Sequence, residues 1–414
     1  MEHIKETKVY IKTLIKWLLI STVLGAAGGC VGSLFHFSVD FATETRVEKP
    51  WIIFLLPLGG LLITFMYRLF RSKGHIDTNL VIESVRVKKK IPFVTVPLIF
   101  ISTVITHLLG GSAGREGAAL QLGGGLGYNF GKILKLKESD IHIIVMTGMS
   151  AVFSALFGTP VTAAVFSLEV VSVGAFHYSG FLPCIISSIT AFAVSKSFGI
   201  APVRFKISIL DGVAIDTMAR VFVLAVLCAV ISIIFCMAIR KCGKYSKKLV
   251  KNSYLRAFLG GLLIVFLTLL VNTRDYNGAG MEIIERAISG NARPWDFILK
   301  IIFTAITIAA GFKGGEIVPA FFVGSTFGCV AGSLLGLDAG LGAAVGFTAL
   351  FCGAVNCPVA SVFLAIEVFG TQGILYFALT CAISYMMSGY SGLYKSQKIL
   401  YSKLDDEYID VNTK

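Results

Sequence analysis

Of 414 residues, 55% are hydrophobic and only 15% are charged, with a mean hydropathy of +0.80. An ordinary soluble globular domain, about a quarter charged, is excluded. The formal net charge of +13 comes from 37 Lys and Arg against 24 Asp and Glu. These cations lie in short runs between apolar stretches, a pattern that reports membrane topology and not nucleic-acid binding.

The apolar residues suffice for about eleven full crossings of a bilayer, at roughly 20 residues each. The chain reads as an all-α polytopic membrane protein with no room for a large soluble domain. Residues 1–16 carry Lys5, Lys8, Lys12 and Lys16 and continue into an apolar run without a small-residue cleavage site, so they read as a cytoplasmic amphipathic start. Apolar segments follow at 17–42, 51–70, 93–110, 141–157, 160–176, 180–199, 216–239, 255–272, 297–312, 320–337, 339–356, 358–370 and 373–390. Several are too short to span and many contain glycine; 43 glycines against 10 prolines point to close helix packing and broken helices. Basic connectors at Arg71–Lys73, Arg86 with Lys88 to Lys90, Lys132–Lys137 and Arg240–Lys251 are the expected cytoplasmic loops. From about residue 401 the chain turns polar and acidic, and 401–414 reads as an exposed tail. The nine cysteines lie in or beside apolar runs with no C-x-x-C pair, and the six histidines are scattered. Neither a disulfide framework nor a metal centre is expected, and no cofactor is called for.

An internal repeat is visible. AVFSALFGTPVTAAVFSLEV at 151–170 aligns with ALFCGAVNCPVASVFLAIEV at 349–368, pairing Pro160 with Pro358 and Glu169 with Glu367. Near the same offset, Gly114-Arg115-Glu116 lies opposite Gly314-Gly315-Glu316. The chain therefore divides into a first membrane half, 17–205, and a second, 206–400. An odd number of crossings per half would invert one against the other, with the ion site near mid-membrane between them.

Four acidic residues stand in apolar surroundings, where ionisable groups are costly and functional by default: Glu116, Glu169, Glu316 and Glu367. Glu116 follows the glycine-rich run 110–114 and precedes a helix-competent stretch. Glycines let backbone approach an ion, and the free N–H groups of a helix start attract an anion. A carboxylate placed there can occupy the anion site and vacate it when protonated. The plainer reading is a packing motif with Glu116 as a cap. Lys313 to Pro319 repeats the arrangement, with Pro319 at an early helical position; the plainer reading pairs Glu316 with Lys313 at a surface. Glu169 and Glu367 each close a helix after a proline and read as structural, bonding to backbone.

Together these residues resemble the CLC family of anion channels and anion/proton antiporters over nearly the whole chain. Gly114-Arg115-Glu116-Gly117 is similar to the family's G-R-E-G-P element with Ala118 replacing proline. Gly315-Glu316-Ile317-Val318-Pro319 is similar to its G-x-F-x-P element with Ile317 replacing phenylalanine. Phe166-Ser167-Leu168-Glu169-Val170 resembles F-x-L-E-E, and Tyr394 sits where the family places a pore tyrosine. The resemblance implies inverted halves of tilted, partly broken helices in a homodimer with one path per subunit. It makes Glu116 the gating, proton-carrying carboxylate and Glu316 a second functional acid. The anion site would be formed by Tyr394, Gly315, Glu316, Ile317 and Val318, with Gly114, Arg115 and Gly117 at the other helix start. Asn79, in Thr78-Asn79-Leu80-Val81-Ile82-Glu83, replaces the serine of G-S-G-I-P-E, and Val170 replaces the inner proton-transfer glutamate. These departures resemble the fluoride/proton antiporter branch. The implied protein exports fluoride against protons across a bacterial cytoplasmic membrane and protects against fluoride. A chloride/proton antiporter or chloride channel is the alternative. An enzyme is not expected, for no nucleophile–base pair or ligand cluster is present.

Overall fold

The computed structural model describes residues 2–70, 77–87, 89–207 and 214–414. Arg71–Lys73 and Lys88, expected in cytoplasmic connectors, lie outside the described residues. Sixteen α-helices are described, in two sets of eight. The first set is α1 (Glu2–Glu48), α2 (Leu56–Leu69), α3 (Thr78–Arg86), α4 (Thr95–Leu109), α5 (Glu116–Ile133), α6 (Glu138–Phe157), α7 (Pro160–Glu169) and α8 (Phe181–Ser197). The second is α9 (Ile215–Leu249), α10 (Ser253–Val271), α11 (Met281–Ile288), α12 (Asp296–Ala310), α13 (Ile317–Leu334), α14 (Ala339–Val355), α15 (Pro358–Phe369) and α16 (Ile374–Met387).

Seven helical stretches among the described residues are long and apolar enough to cross a membrane, and five apolar helices are shorter. Fewer full crossings and more helices than the composition ceiling follow from the same cause: short helices meet end to end inside the protein, where neighbouring chain satisfies their backbone. Three helices lay outside the apolar segments read from sequence. The short α3 and α11 are amphipathic, and α5 dilutes its apolar character with glycine although nearly all of it is buried. The N-terminal segment is no separate element, because α1 runs unbroken from Glu2 to Glu48.

The two sets make reciprocal contacts. Glu169 closes α7 and accepts the N–H groups of Val359 (3.1 Å) and Ala360 (2.8 Å) at the start of α15. Glu367, on α15, accepts the N–H groups of Val161 (3.1 Å) and Thr162 (2.8 Å) at the start of α7, with the Thr162 hydroxyl at 2.6 Å. Each half thus supplies the carboxylate that satisfies the orphan donors of the other half's proline-led helix. Exchange of equivalent groups is the mark of a local two-fold relation.

Glycine sets the tightest helix crossings. A β-carbon on Gly123 would lie 2.2 Å from the carbonyl oxygen of Gly148, where α5 crosses α6. One on Gly346 would lie 2.0 Å from that of Gly324, where α14 crosses α13. No side chain fits either crossing. Gly346→Ala is expected to destabilise by about 3 kcal/mol or more, the upper end for overpacking. Gly243→Ala, in open space on α9, should be neutral or stabilising by about 0.5–1 kcal/mol. Thermal aggregation of the two purified variants in detergent checks the contrast.

The polar tail is partly ordered. β2 (Lys398–Tyr401) pairs antiparallel with β3 (Tyr408–Asn412) and parallel with β1 (Ser172–Val173). Lys403 donates to Asn356 Oδ1 at 2.6 Å and to the Tyr385 carbonyl at 2.7 Å. The Thr413 hydroxyl donates to the Tyr394 carbonyl at 2.5 Å, so the hairpin braces the loop that carries Tyr394. Seven of the nine cysteines are buried, all are free, and they act as small core residues.

Candidate functional site

The two glycine-rich runs meet. Gly114 N–H donates to the Gly315 carbonyl and Gly315 N–H to that of Gly114, both at 2.7 Å, forming one antiparallel bridge. The strands touch here because side chains are absent: a β-carbon on Gly315 would lie 2.4 Å from Gly117 N. Around the bridge, Ser112 N–H bonds Thr307 Oγ1 at 3.1 Å and Asn277 Nδ2 bonds the Gly110 carbonyl at 2.9 Å. α5 and α13 both start at this point, bringing two sets of unpaired N–H groups and two positive dipole ends to one place.

Glu116 is the first residue of α5 and is buried. Its Oε2 accepts the Arg115 N–H at 2.9 Å, and the backbone N–H of Val318, on the opposite helix start, also points to the carboxylate. The carboxylate therefore meets backbone N–H groups from both halves. Gly117 lies beyond it, and Glu316 Oε2 is 3.6 Å from the point where a Gly117 β-carbon would be. Glu316 is not held by Lys313, whose ammonium lies over the Tyr67 ring at 4.4 Å.

Two cavities approach the helix starts. One, about 420 Å³, is lined by Asn79, Glu316 and Tyr394, and also by Thr78 and Gln121. The other, about 270 Å³, is lined by Glu116 and Arg115. The repeat-related glutamates thus face different cavities, with the glycine bridge between. A larger cavity of about 1110 Å³, between the starts of α1, α6 and α8, holds none of the candidate residues.

The Tyr394 hydroxyl is buried and has no hydrogen-bond partner among the described residues. A buried O–H left unpaired is destabilising, so this hydroxyl is a donor available on the wall of the cavity. Asn79 is more committed than its sequence position implied. Its Oδ1 accepts the Ser396 N–H at 3.0 Å and its Nδ2 donates to Asp77 at 3.2 Å, leaving one amide hydrogen. Asn79 thereby ties α3 to the Tyr394 loop. Ile317, Val318 and Gly315 contribute backbone, and the Arg115 side chain turns away to an ion pair with Asp40 at 2.9 Å.

Two residues of this region were not read from sequence. Gln121 donates from Nε2 to Thr78 Oγ1 and to the Gly117 carbonyl, each at 3.2 Å, and its Oε1 is buried without a partner. Thr78 Oγ1 reaches the Gly117 carbonyl at 3.3 Å. The available signal was a lone amide in a glycine-rich buried helix, five residues after Glu116.

A family profile described as voltage gated chloride channel matches residues 59–389. A chloride/fluoride channel protein of Pseudomonas syringae pv. tomato is 35% identical over 94% of this chain and 88% of its own length. An H(+)/Cl(-) exchange transporter ClcA of Vibrio campbellii is 25% identical over 84% of this chain and 81% of its own. Among solved structures, a CLC-type fluoride/proton antiporter superposes with a TM-score of 0.89 at 30% identity, covering 93% of this chain and 98% of that one. A slow cyanobacterial Cl-/H+ antiporter, at 18% identity, superposes with 0.77 over 90% and 94%, a likeness of fold alone. With both helix starts, the inverted repeat and a profile over most of its length, this multi-span membrane protein belongs to the CLC, or voltage gated chloride channel, family of ion transporters.

Proposed function

We propose that the protein exchanges fluoride for protons, exporting fluoride across the cytoplasmic membrane of a bacterium and so conferring fluoride resistance. The observation that carries this reading is the Glu116 carboxylate resting on N–H groups from both helix starts, at the inner wall of one cavity and across the glycine bridge from the other. Deprotonated, it fills the place of an anion; protonated, it loses its hold on those N–H groups and leaves. One group that answers to both ions couples their fluxes in opposite directions. The cavity of Asn79, Glu316 and Tyr394 includes Lys247 of the lysine-rich end of α9, so it is assigned to the cytoplasmic side. There the orphan Tyr394 hydroxyl and the remaining Asn79 hydrogen would meet the ion, and Glu316 would hold a proton or shape the local field. Fluoride, small and strongly hydrated, demands such close, strong donors. Two copies would act as a homodimer, each with its own path; the exposed Ile374, Leu375, Met386 and Met387 of α16 offer an apolar face to a partner or to lipid.

The second reading is chloride/proton exchange on the same scaffold, favoured by similarity to the ClcA exchanger. Efflux from liposomes under matched fluoride and chloride gradients, with pH recorded, decides between them: fluoride should move protons inward and chloride should not. Tyr394→Phe, which removes one oxygen, should weaken fluoride dependence of efflux by about tenfold, as expected for a lost bond to a charged group. Unchanged dependence would remove Tyr394 from the ion's path.

A further inference from the structure

Asp40 of α1 lines the cavity of Glu116 with Arg115, and His36 stands behind it, one helical turn earlier on α1. Asp40 Oδ1 accepts from Arg115 Nη1 at 2.9 Å, and His36 Nε2 lies 3.0 Å from Asp40 Oδ2. Both carboxylate oxygens are thus engaged, and the direction of the group is fixed. The Arg115 guanidinium stands 4.0 Å from Glu116 Oε1, while Glu116 takes its short bond from the Arg115 backbone N–H at 2.9 Å. Two carboxylates share one guanidinium, and Asp40 holds it.

The other charged groups of this cavity are engaged elsewhere. Arg46 of α1 donates to the His107 carbonyl at the end of α4 and faces Glu282 at the start of α11. Arg274 donates to the Pro50 carbonyl at 2.6 Å. Asp275 is paired with Arg286 and Arg293, each at 3.4 Å. His107 Nδ1 is bonded to the Thr103 carbonyl at 2.9 Å. Arg115 is therefore the cation for which Asp40 and Glu116 compete.

We infer that Asp40 is a positioning residue for the gate: by holding Arg115, it keeps the guanidinium from closing on Glu116. The inference rests on the reading of Glu116 as the proton-carrying carboxylate. Without Asp40, the guanidinium closes the remaining gap and forms a charge-assisted bidentate pair with Glu116. Such a pair favours the ionised carboxylate, so more acid is needed outside before the group takes a proton and swings away.

The test uses the full chain in liposomes, with fluoride-driven proton movement recorded against external pH. Asp40→Asn should shift the half-maximal pH downward by about one unit, the low end for a carboxylate gaining a neighbouring cation. Asp40→Glu should restore the wild-type profile, and Asp40→Ser serves as a second truncation should the asparagine variant not fold. In an Arg115→Gln background, Asp40→Asn should add no shift. An unshifted profile in both truncations overturns the inference, and so does an equal shift in the Arg115→Gln background, which would make Asp40 act by its own field. Glu116→Gln is the separating control: coupled proton movement surviving there overturns the gate reading itself, whereas its loss beside an unshifted Asp40→Asn overturns only the role of Asp40.

Discussion

Glu116→Gln is expected to abolish fluoride-driven proton movement in liposomes, a fall of about 100-fold or more, within the range contributed by one acid–base group. The amide preserves size and hydrogen-bonding reach but neither carries a proton at neutral pH nor competes as an anion for the N–H groups of Arg115 and Val318. Whatever fluoride flux remains in the variant should be uncoupled, discharging freely when the membrane potential is clamped with an ionophore. Coupled proton flux at wild-type stoichiometry would reject the assignment and direct attention to Glu316, the repeat-related carboxylate in the other cavity.

The second large effect concerns folding. Glu367→Ala leaves the N–H groups of Val161 and Thr162 and the Thr162 hydroxyl without their acceptor where the two halves meet, Thr162 being buried and Glu367 and Val161 half-buried. At about 1–3 kcal/mol for each buried group left unpaired, the expected loss is about 3 kcal/mol or more. The midpoint of thermal aggregation in detergent should fall by about 5 °C or more. Glu367→Gln, which keeps an acceptor, should lose markedly less. Glu169→Ala should mirror the effect at Val359 and Ala360, and the double variant should be worse than either. A Glu367→Ala protein as stable as wild type would mean that water or lipid headgroups reach these helix starts.

Much of this arrangement is legible in the sequence because it depends on local signals. A glutamate after a glycine run marks a helix start, a proline marks another, and the repetition of both at a common offset shows that the halves are equivalent. The resemblance places Tyr394 near the site from a short motif. What is not legible is what tertiary contact decides. Thr78, Gln121 and Asp40 stand in three different segments, and only the packing of α1, α3 and α5 brings them to Gly117 and Arg115. The polar character of α3 and α11 hides them from a search for apolar runs: Thr78 and Asn79 of α3 line the cavity of Tyr394, and Glu282 and Glu285 of α11 are exposed. Asn79 illustrates the limit from the other side: its position was readable, but its bonds to Asp77 and Ser396 were not, and they leave it one free donor instead of two.

The glycine crossings bear on how the transporter moves. α5 and α13, whose starts meet at the glycine bridge, are held against α6 and α14 at backbone contact by Gly123 with Gly148 and Gly324 with Gly346. Surfaces meshed at that distance do not slide past one another without first separating, so each helix pair moves as a block. On the proposed role of Glu116, the cheapest motion that would open the path is then a rotation about its side-chain bonds, a rearrangement intrinsically far faster than the microsecond-to-millisecond rocking of whole domains. Under that proposal turnover would be paced by how often the carboxylate meets a proton and by how readily water and ion reach it, and cooling should slow it far less than it slows transporters whose halves must tilt.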